Sequence, residues 1–259
     1  MSKIPPYWNT AKRYLSKKDK IMSSLIKKYK SPSETVLTSR RDVFFSLCKS
    51  IIGQQISVAA ANSVFLKFKK KSLLIRHIEK LRVAGFSKIH INTSSYTDQI
   101  QAYLEQELDD LENIEIHHEG DEPLETAGGI INIIPKIKQN SFSVINSDIL
   151  TKFDFKELTK LSAHNYLVLV NNPPWKNNSD YGISEQGLII KQQKKYTFSG
   201  ISVLDKSLFE GFLPGKRSLT EIFDRAIDNQ ALKGFVTKSL WFDMGTPERF
   251  KEAENYIND

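Results

Sequence analysis

The spacing of apolar residues changes near position 72. Before it, the pattern is helical. Phe44, Leu47, Cys48 and Ile51 fall at i, i+3, i+4 and i+7 and give one apolar face. "PYWNTAKRYLSKKD" and "DKIMSSLIKKY" read as short amphipathic helices. Ser57 is placed to cap a helix over "VAAANSVFLKF", so that "GQQIS" marks a tight corner between two helices. Cys48, on the apolar face, reads as a packed thiol and not as a nucleophile.

From Ser72 onward helical and alternating patterns take turns. "SLLIRHIEKLRVAGF" places Leu74, Ile78 and Leu81 on one helical face, with Gly85 as a stop signal. "KIHINTS" then reads as a strand, "YTDQIQAYLEQEL" as a helix and "NIEIHHEG" as a strand. "LETAGGIINIIPKI" enters another helix, "SFSVINSD" is a buried strand with a polar end, and "DFKELTKLS" and "NYLVLVNNP" continue the alternation. This order predicts an α/β layered fold with a mostly parallel sheet, whose ligands sit beyond the carboxyl ends of the strands.

Charge sharpens the division. Residues 1–71 hold 16 Lys and Arg against 3 Asp and Glu, while the remainder of the 259-residue chain holds 21 against 27. The basic front end is compatible with an anionic polymer such as DNA, or with a solvated lysine-rich surface. No apolar run is long enough to cross a bilayer, and the start has no signal-peptide core, so the expected location is cytoplasmic. A single cysteine excludes an internal disulfide and a cysteine-based metal cluster.

Three features fall at predicted strand ends or helix entries. Gly128 and Gly129 allow a base or phosphate to approach the backbone, or simply form a turn. Asp148 follows one apolar strand and Asp243 another, and each suits a strand-end turn or an Mg2+ site. Together the two carboxylates fit one metal-dependent phosphoryl-transfer site. Thr246 can cap the next helix, with Pro247 at its first position. His117 and His118 point to opposite faces of a strand and read as surface or packing residues.

The stretches "LLIRHIEKLRVAGFSKIHIN", "EPLETAGGI", "FSVINSDI", "LVLVNNP", "YTFSGISVLDKSLFEG" and "WFDMGTPERFKEAE" together resemble the sugar-1-phosphate nucleotidyltransferases, in the N-acetylmuramate-1-phosphate uridylyltransferase and mannose-1-phosphate guanylyltransferase branch. The resemblance spans residues 72–259 and implies a Rossmann-like nucleotide-diphospho-sugar transferase fold. It implies Mg2+ bound by Asp148 and Asp243, and Gly128 and Gly129 against the nucleobase and ribose with Thr126 and Glu125 nearby. It places Asn171, Asp180, Ser199 and Gly200 toward the sugar. The implied reaction joins UTP or GTP to a sugar-1-phosphate and releases pyrophosphate.

That family begins with a strand and a Gly-rich phosphate loop, and residues 1–71 contain neither. Instead "YWNTAKRYLSKKDKIMSSLIKKY" and "FFSLCKSIIGQQISVAAANSVFLKF" resemble the start of an AlkA-type DNA-3-methyladenine glycosylase, over residues 5–68, without the hairpin and aspartate of that family. The expected organisation is a helical, glycosylase-like segment over 1–71 and an α/β domain over 72–259, with the seam at Lys69–Lys71. Expected activity is a nucleotidyl transfer impaired by the lost loop. Nonspecific DNA contact through residues 1–71, a glycosylase-derived role in base-excision repair and a fusion without function are the alternatives.

Overall fold

The computed structural model describes residues 13–14, 16–18, 23, 67–68, 71–94, 97–120, 122–161, 165–246, 249 and 252–253. The chain divides into two compact units, residues 1–55 and 56–259. The described residues of the first unit are helical. Cys48, Ser57 and the "GQQIS" corner lie outside the described residues.

The second unit starts its described part with a tight hairpin, β1 (Lys67–Phe68) against β2 (Lys71–Ser72). This corrects one expectation, because Lys67 and Phe68 were assigned to the end of a helix. The antiparallel register pairs Lys67 with Ser72 and Phe68 with Lys71, so these four residues are strand and not helix.

Ser72 ends the hairpin and also caps α1 (Leu73–Val83), its hydroxyl accepting from Ile75 N at 3.3 Å. Leu74, Ile75, Ile78 and Leu81 are buried, as their spacing requires. Gly85 adopts a φ of 89°, the left-handed stop of the helix, while Phe86 N donates to Leu81 O. Then follow β3 (Ile89–Thr93), α2 (Thr97–Glu107), β4 (Ile114–His118), α3 (Glu125–Ile133), β5 (Ser141–Ile145), β6 (Ile149–Thr151), the single turn α4 (Lys156–Thr159) and β7 (Asn165–Asn171). After these come the short strands β8 (Gly182–Ile183) and β9 (Ile189–Ile190), the long β10 (Tyr196–Asp205), α5 (Leu219–Asp228), β11 (Leu232–Val236) and β12 (Trp241–Asp243).

A four-stranded sheet runs in the order β11-β7-β10-β5. Its strands alternate between two cores with period two. Val168, Ile201 and Val203 join α1, α2, β3 and β4 in one apolar cluster. Leu167, Leu169 and Leu204 join α3 and α5 in another. The sheet is therefore the middle of three layers.

The expectation of a mostly parallel sheet is corrected to a mixed one. β11 runs parallel to β7, but β10 is antiparallel to both β7 and β5. The connection from β7 to β10 carries the β8–β9 hairpin and no crossover helix, which only a parallel neighbour needs. β3 and β4 form a separate parallel pair, and β6 and β12 a separate antiparallel pair. Among the described residues, β3 has only β4 as a strand partner, and β5 only β10.

Lys80 of α1 ties down the end of β6. Its ammonium donates to Thr151 O at 2.9 Å and Phe153 O at 2.8 Å, and it lies over the Phe155 ring. Those carbonyls would otherwise end unsatisfied beside an apolar cluster.

Candidate active site

Asp148 lies in the turn between β5 and β6, and Asp243 closes β12. The β6–β12 register pairs Asp243 with Ile149, and Met244 N donates to Asp148 O at 2.8 Å. Two carboxylates far apart in sequence therefore meet at one end of a three-pair ladder. Burial raises the pKa of Asp148 above the usual carboxylate range, and the charge of Asp243 adds to this, while Arg249 pulls it back. Two carboxylates at one end of a ladder form an oxygen-only donor set suited to a hard divalent cation. The residues present thus fit Mg2+.

Both oxygens of Asp243 are engaged. Oδ1 accepts from Gly245 N at 2.7 Å and Oδ2 meets Arg249 Nη1 at 2.7 Å. An ionised carboxylate offers about four lone-pair directions, so each oxygen retains one. Arg249 also lies 4.0 Å from the centre of the Trp175 ring. Its position is set by Thr246, whose hydroxyl accepts from Arg249 N at 3.3 Å as the cap expected there. Pro247 lies outside the described residues.

The paired glycines are in α3, not in the loop before it, and their closeness serves the chain itself. A Cβ on Gly128 would overlap Gly215 O, and one on Gly129 would overlap the Glu119 carboxylate and Asn92 Nδ2. Ala127 N and Gly128 N both donate to Arg217 O, so those amides are already used. Glu125 and Thr126 are exposed at the start of α3. Glu125 has a φ of 60° and lies 3.7 Å from Lys216. Asn92 and Glu119, at the carboxyl ends of β3 and β4, were not selected from sequence. Asn92 Oδ1 is buried without a hydrogen bond among the described residues, and burial raises the pKa of Glu119.

Of the four residues assigned to the sugar, Asn171 is exposed at the end of β7. Asp180 pairs with Lys176 at 2.6 Å and accepts from Phe198 N at 2.9 Å. Ser199 and Gly200 form an irregularity in β10 between Phe198 and Ile201. Ser199 is fully buried. Its hydroxyl donates to Val168 O at 2.6 Å and accepts from Ile201 N at 3.2 Å, bridging the break in the ladder. Gly200 has a φ of 80° and packs against the Asn146 side chain. The Ser199 hydroxyl is thus committed to the strand, and Asn171 is the more accessible of the two.

A second polar cluster joins His90, Glu115 and His117, whose ligand atoms lie within 4.8 Å of one another. The parallel register of β3 and β4 brings His117 beside His90, a neighbour not expected from sequence. His117 is buried and His118 exposed, so the opposite-face reading holds. Lys136 Nζ lies 3.2 Å from His117 Nδ1, and His117 Nε2 lies 2.8 Å from His90 Nδ1. An ammonium only donates, so the network assigns the hydrogen of neutral His117 to Nε2, which donates to His90. Burial lowers the pKa of both imidazoles, which agrees with a neutral pair closed by a proton. Lys136 and Lys88, the latter 2.8 Å from Glu115, further oppose a cation.

Comparison with known proteins identifies the class to which the layered fold belongs. The nucleotidyl transferase family matches residues 55–259, so the chain belongs to that family. It is 31% identical over 196 residues to the N-acetylmuramate alpha-1-phosphate uridylyltransferase of Neisseria meningitidis serogroup B, covering 71% of this chain and 84% of that protein. It is 26% identical to the mannose-1-phosphate guanylyltransferase catalytic subunit beta of Drosophila pseudoobscura pseudoobscura, over 71% of this chain and 54% of the relative. The chain therefore spans about half the length of that protein. Among solved structures, HddC from Yersinia pseudotuberculosis superposes with a TM-score of 0.64 at 23% identity, over 79% of this chain and 93% of that one. That likeness concerns the fold. No helix among the described residues is long and apolar enough to cross a membrane.

Proposed function

We propose that this chain descends from, and retains the acceptor side of, a sugar-1-phosphate nucleotidyltransferase. In the reaction an oxygen of the sugar-1-phosphate attacks the α-phosphorus of UTP or GTP. A new P–O bond forms as the bond to the β-phosphate oxygen breaks, and pyrophosphate leaves. The observation that carries the reading is the Asp148–Asp243 pair at one end of the β6–β12 ladder. Asp148 and Asp243 would hold Mg2+, which would neutralise phosphate charge. The protein otherwise contributes placement, with no covalent intermediate. Glu125, Thr126, Gly128 and Gly129 are assigned to the nucleotide side and Asn171, Asp180, Ser199 and Gly200 to the sugar side, with Gly128, Gly129 and Ser199 acting by shaping the backbone there and not by touching the ligand. The first four share one helix, and the last four cluster where β7 and β10 pair.

Turnover is expected to be low. Gly53 is the sole glycine before Gly85, so residues 1–71 do not encode a Gly-rich phosphate cradle. Removing a single preorganised donor costs about 100- to 1,000-fold in rate, and a whole loop supplies several. The test is pyrophosphate release by the purified full chain with Mg2+, each nucleotide and each of the sugar phosphates named for the relatives. Slow release that disappears in Asp148→Asn supports the reading. Release unaffected by that change rejects the site, and fast turnover rejects the impairment. DNA contact rests on residues 1–71, almost all outside the described residues, and no described contact favours it.

A further inference from the structure

We propose that Arg249 receives the phosphate of the sugar-1-phosphate, with the Trp175 indole holding the guanidinium in place. The inference rests on the transferase reading above. Its carrying observation is a bridge: one guanidinium touches both the Asp243 carboxylate and the loop that leaves Asn171 and returns at Asp180. The first contact belongs to the metal side of the site and the second to the sugar side. A phosphate bonded to a sugar has to span that same junction.

Charge requires a cation there. Asp148 and Asp243 together carry two negative charges, and a bound Mg2+ would only cancel them. A phosphate monoester adds about −1.5 to −2 near neutral pH, which needs a further positive group. Arg249 is the cation in contact with Asp243, and it also acts on Asp148. Its contact with Asp243 uses Nη1, whereas a guanidinium offers five N–H donors in a fork that matches phosphate oxygens. The side chain is 21% exposed, so Arg249 is not sealed off from solvent.

The loop side is built to hold its position. Asn172 Nδ2 donates to Lys176 O at 2.6 Å, and Lys176 N donates to Pro173 O at 3.0 Å. Thr197 Oγ1 donates to Asn172 Oδ1 at 2.7 Å, tying the turn to β10. Trp175, 41% exposed, extends from this turn over Arg249. A flat cation stacked on an indole keeps its plane, so its edge donors point in a fixed direction. Trp175 is thus a positioning residue, and Arg249 the binding residue.

The test is calorimetric binding of mannose-1-phosphate and N-acetylmuramate-1-phosphate to the full chain in Mg2+, beside binding of UTP and GTP. Arg249→Gln is expected to weaken the preferred sugar phosphate by about 10- to 100-fold, the usual contribution of a charged hydrogen-bonding group. Arg249→Lys recovers part of the loss, Trp175→Leu weakens binding several-fold, and Trp175→Phe restores it. Nucleotide affinity stays within about twofold of wild type in all four. Equal sugar-phosphate affinity in wild type and Arg249→Gln overturns the proposal. So does a uniform loss for sugar phosphate and nucleotide, which would mark Arg249 as a purely structural partner of Asp243. Arg249→Lys keeps the charge and serves as the folding-tolerant variant for this comparison. A wild-type chain that binds nucleotide but neither sugar phosphate rejects this proposal alone, and one that binds neither class rejects the transferase reading as well.

Discussion

His77 offers the sharpest stability measurement on this domain. It sits on the buried side of α1, 6% exposed, with its ring stacked 6.0 Å from that of Phe155. Neither ring nitrogen makes a well-formed hydrogen bond among the described residues. Burial, aided by the nearby charge of Lys80, lowers its pKa from 6.5 to about 4, and the Ile149 main chain offsets only part of this. The folded state therefore prefers the neutral ring, and the unfolded chain takes up the proton first as pH falls. Stability is present in full above pH 6.5 and is lost progressively down to pH 4. A shift of this size corresponds to about 3 kcal/mol at the acid limit, and about 2 kcal/mol by pH 5. His77→Leu removes the titrating group while keeping an apolar side chain in place. Urea unfolding of both proteins between pH 7 and 5 should show wild type losing about 2 kcal/mol more than the variant. His90 and His117 also have lowered pKa values, but they titrate in both proteins and cancel in the difference. Parallel pH slopes for the two proteins would refute the assignment of a buried neutral imidazole at position 77.

Gly128→Ala should lower stability by about 1–3 kcal/mol, read as a drop in melting temperature, because the new Cβ overlaps Gly215 O and the docked loop must move. Ser199→Ala should cost about 1–2 kcal/mol in denaturant unfolding and leave the KM for sugar-1-phosphate within about twofold, since the hydroxyl serves the β10 break. A large rise in KM at normal stability would instead give Ser199 a ligand. Asp148→Asn should abolish Mg2+-dependent pyrophosphate release without loss of stability, because it removes a buried charge repelled by Asp243. A lowered melting temperature in that variant would show that the charge is needed for folding.

The sequence carried its strongest information where period and end residues agreed. The apolar face of α1, the strands β3, β5 and β7, and the aspartates that follow β5 and close β12 were all legible for that reason. The strand directions were not, because a hairpin in the β7–β10 connection looks like loop sequence and its effect on direction is tertiary. Lys67 and Phe68 adopt a hairpin despite a helical surrounding pattern, since two residues carry no usable period. Gly128 and Gly129 were read as letting a ligand approach the backbone, whereas the groups packed closely there are Gly215 O and the Glu119 and Asn92 side chains, which only the tertiary fold brings near. His90 and His117 are 27 positions apart, and only the parallel register of β3 and β4 brings them together. The Arg249–Trp175 contact is likewise invisible until the loop after β7 and the segment after β12 are placed in space. An arginine in "TPERF" reads first as a helix-surface residue.

The β6–β12 ladder also has a temporal meaning. Asp148 gains its partner carboxylate only when β12 has docked, and β12 is held by three residue pairs and the carbonyl bond to Met244 N. Most of the apolar framework, including β7, β10 and α5, precedes it in the chain. During synthesis the three layers can assemble around an incomplete site, and the acidic pair closes as a last act once translation has passed Asp243. A divalent ion that favours the closed pair would then work as a clasp on the final strand.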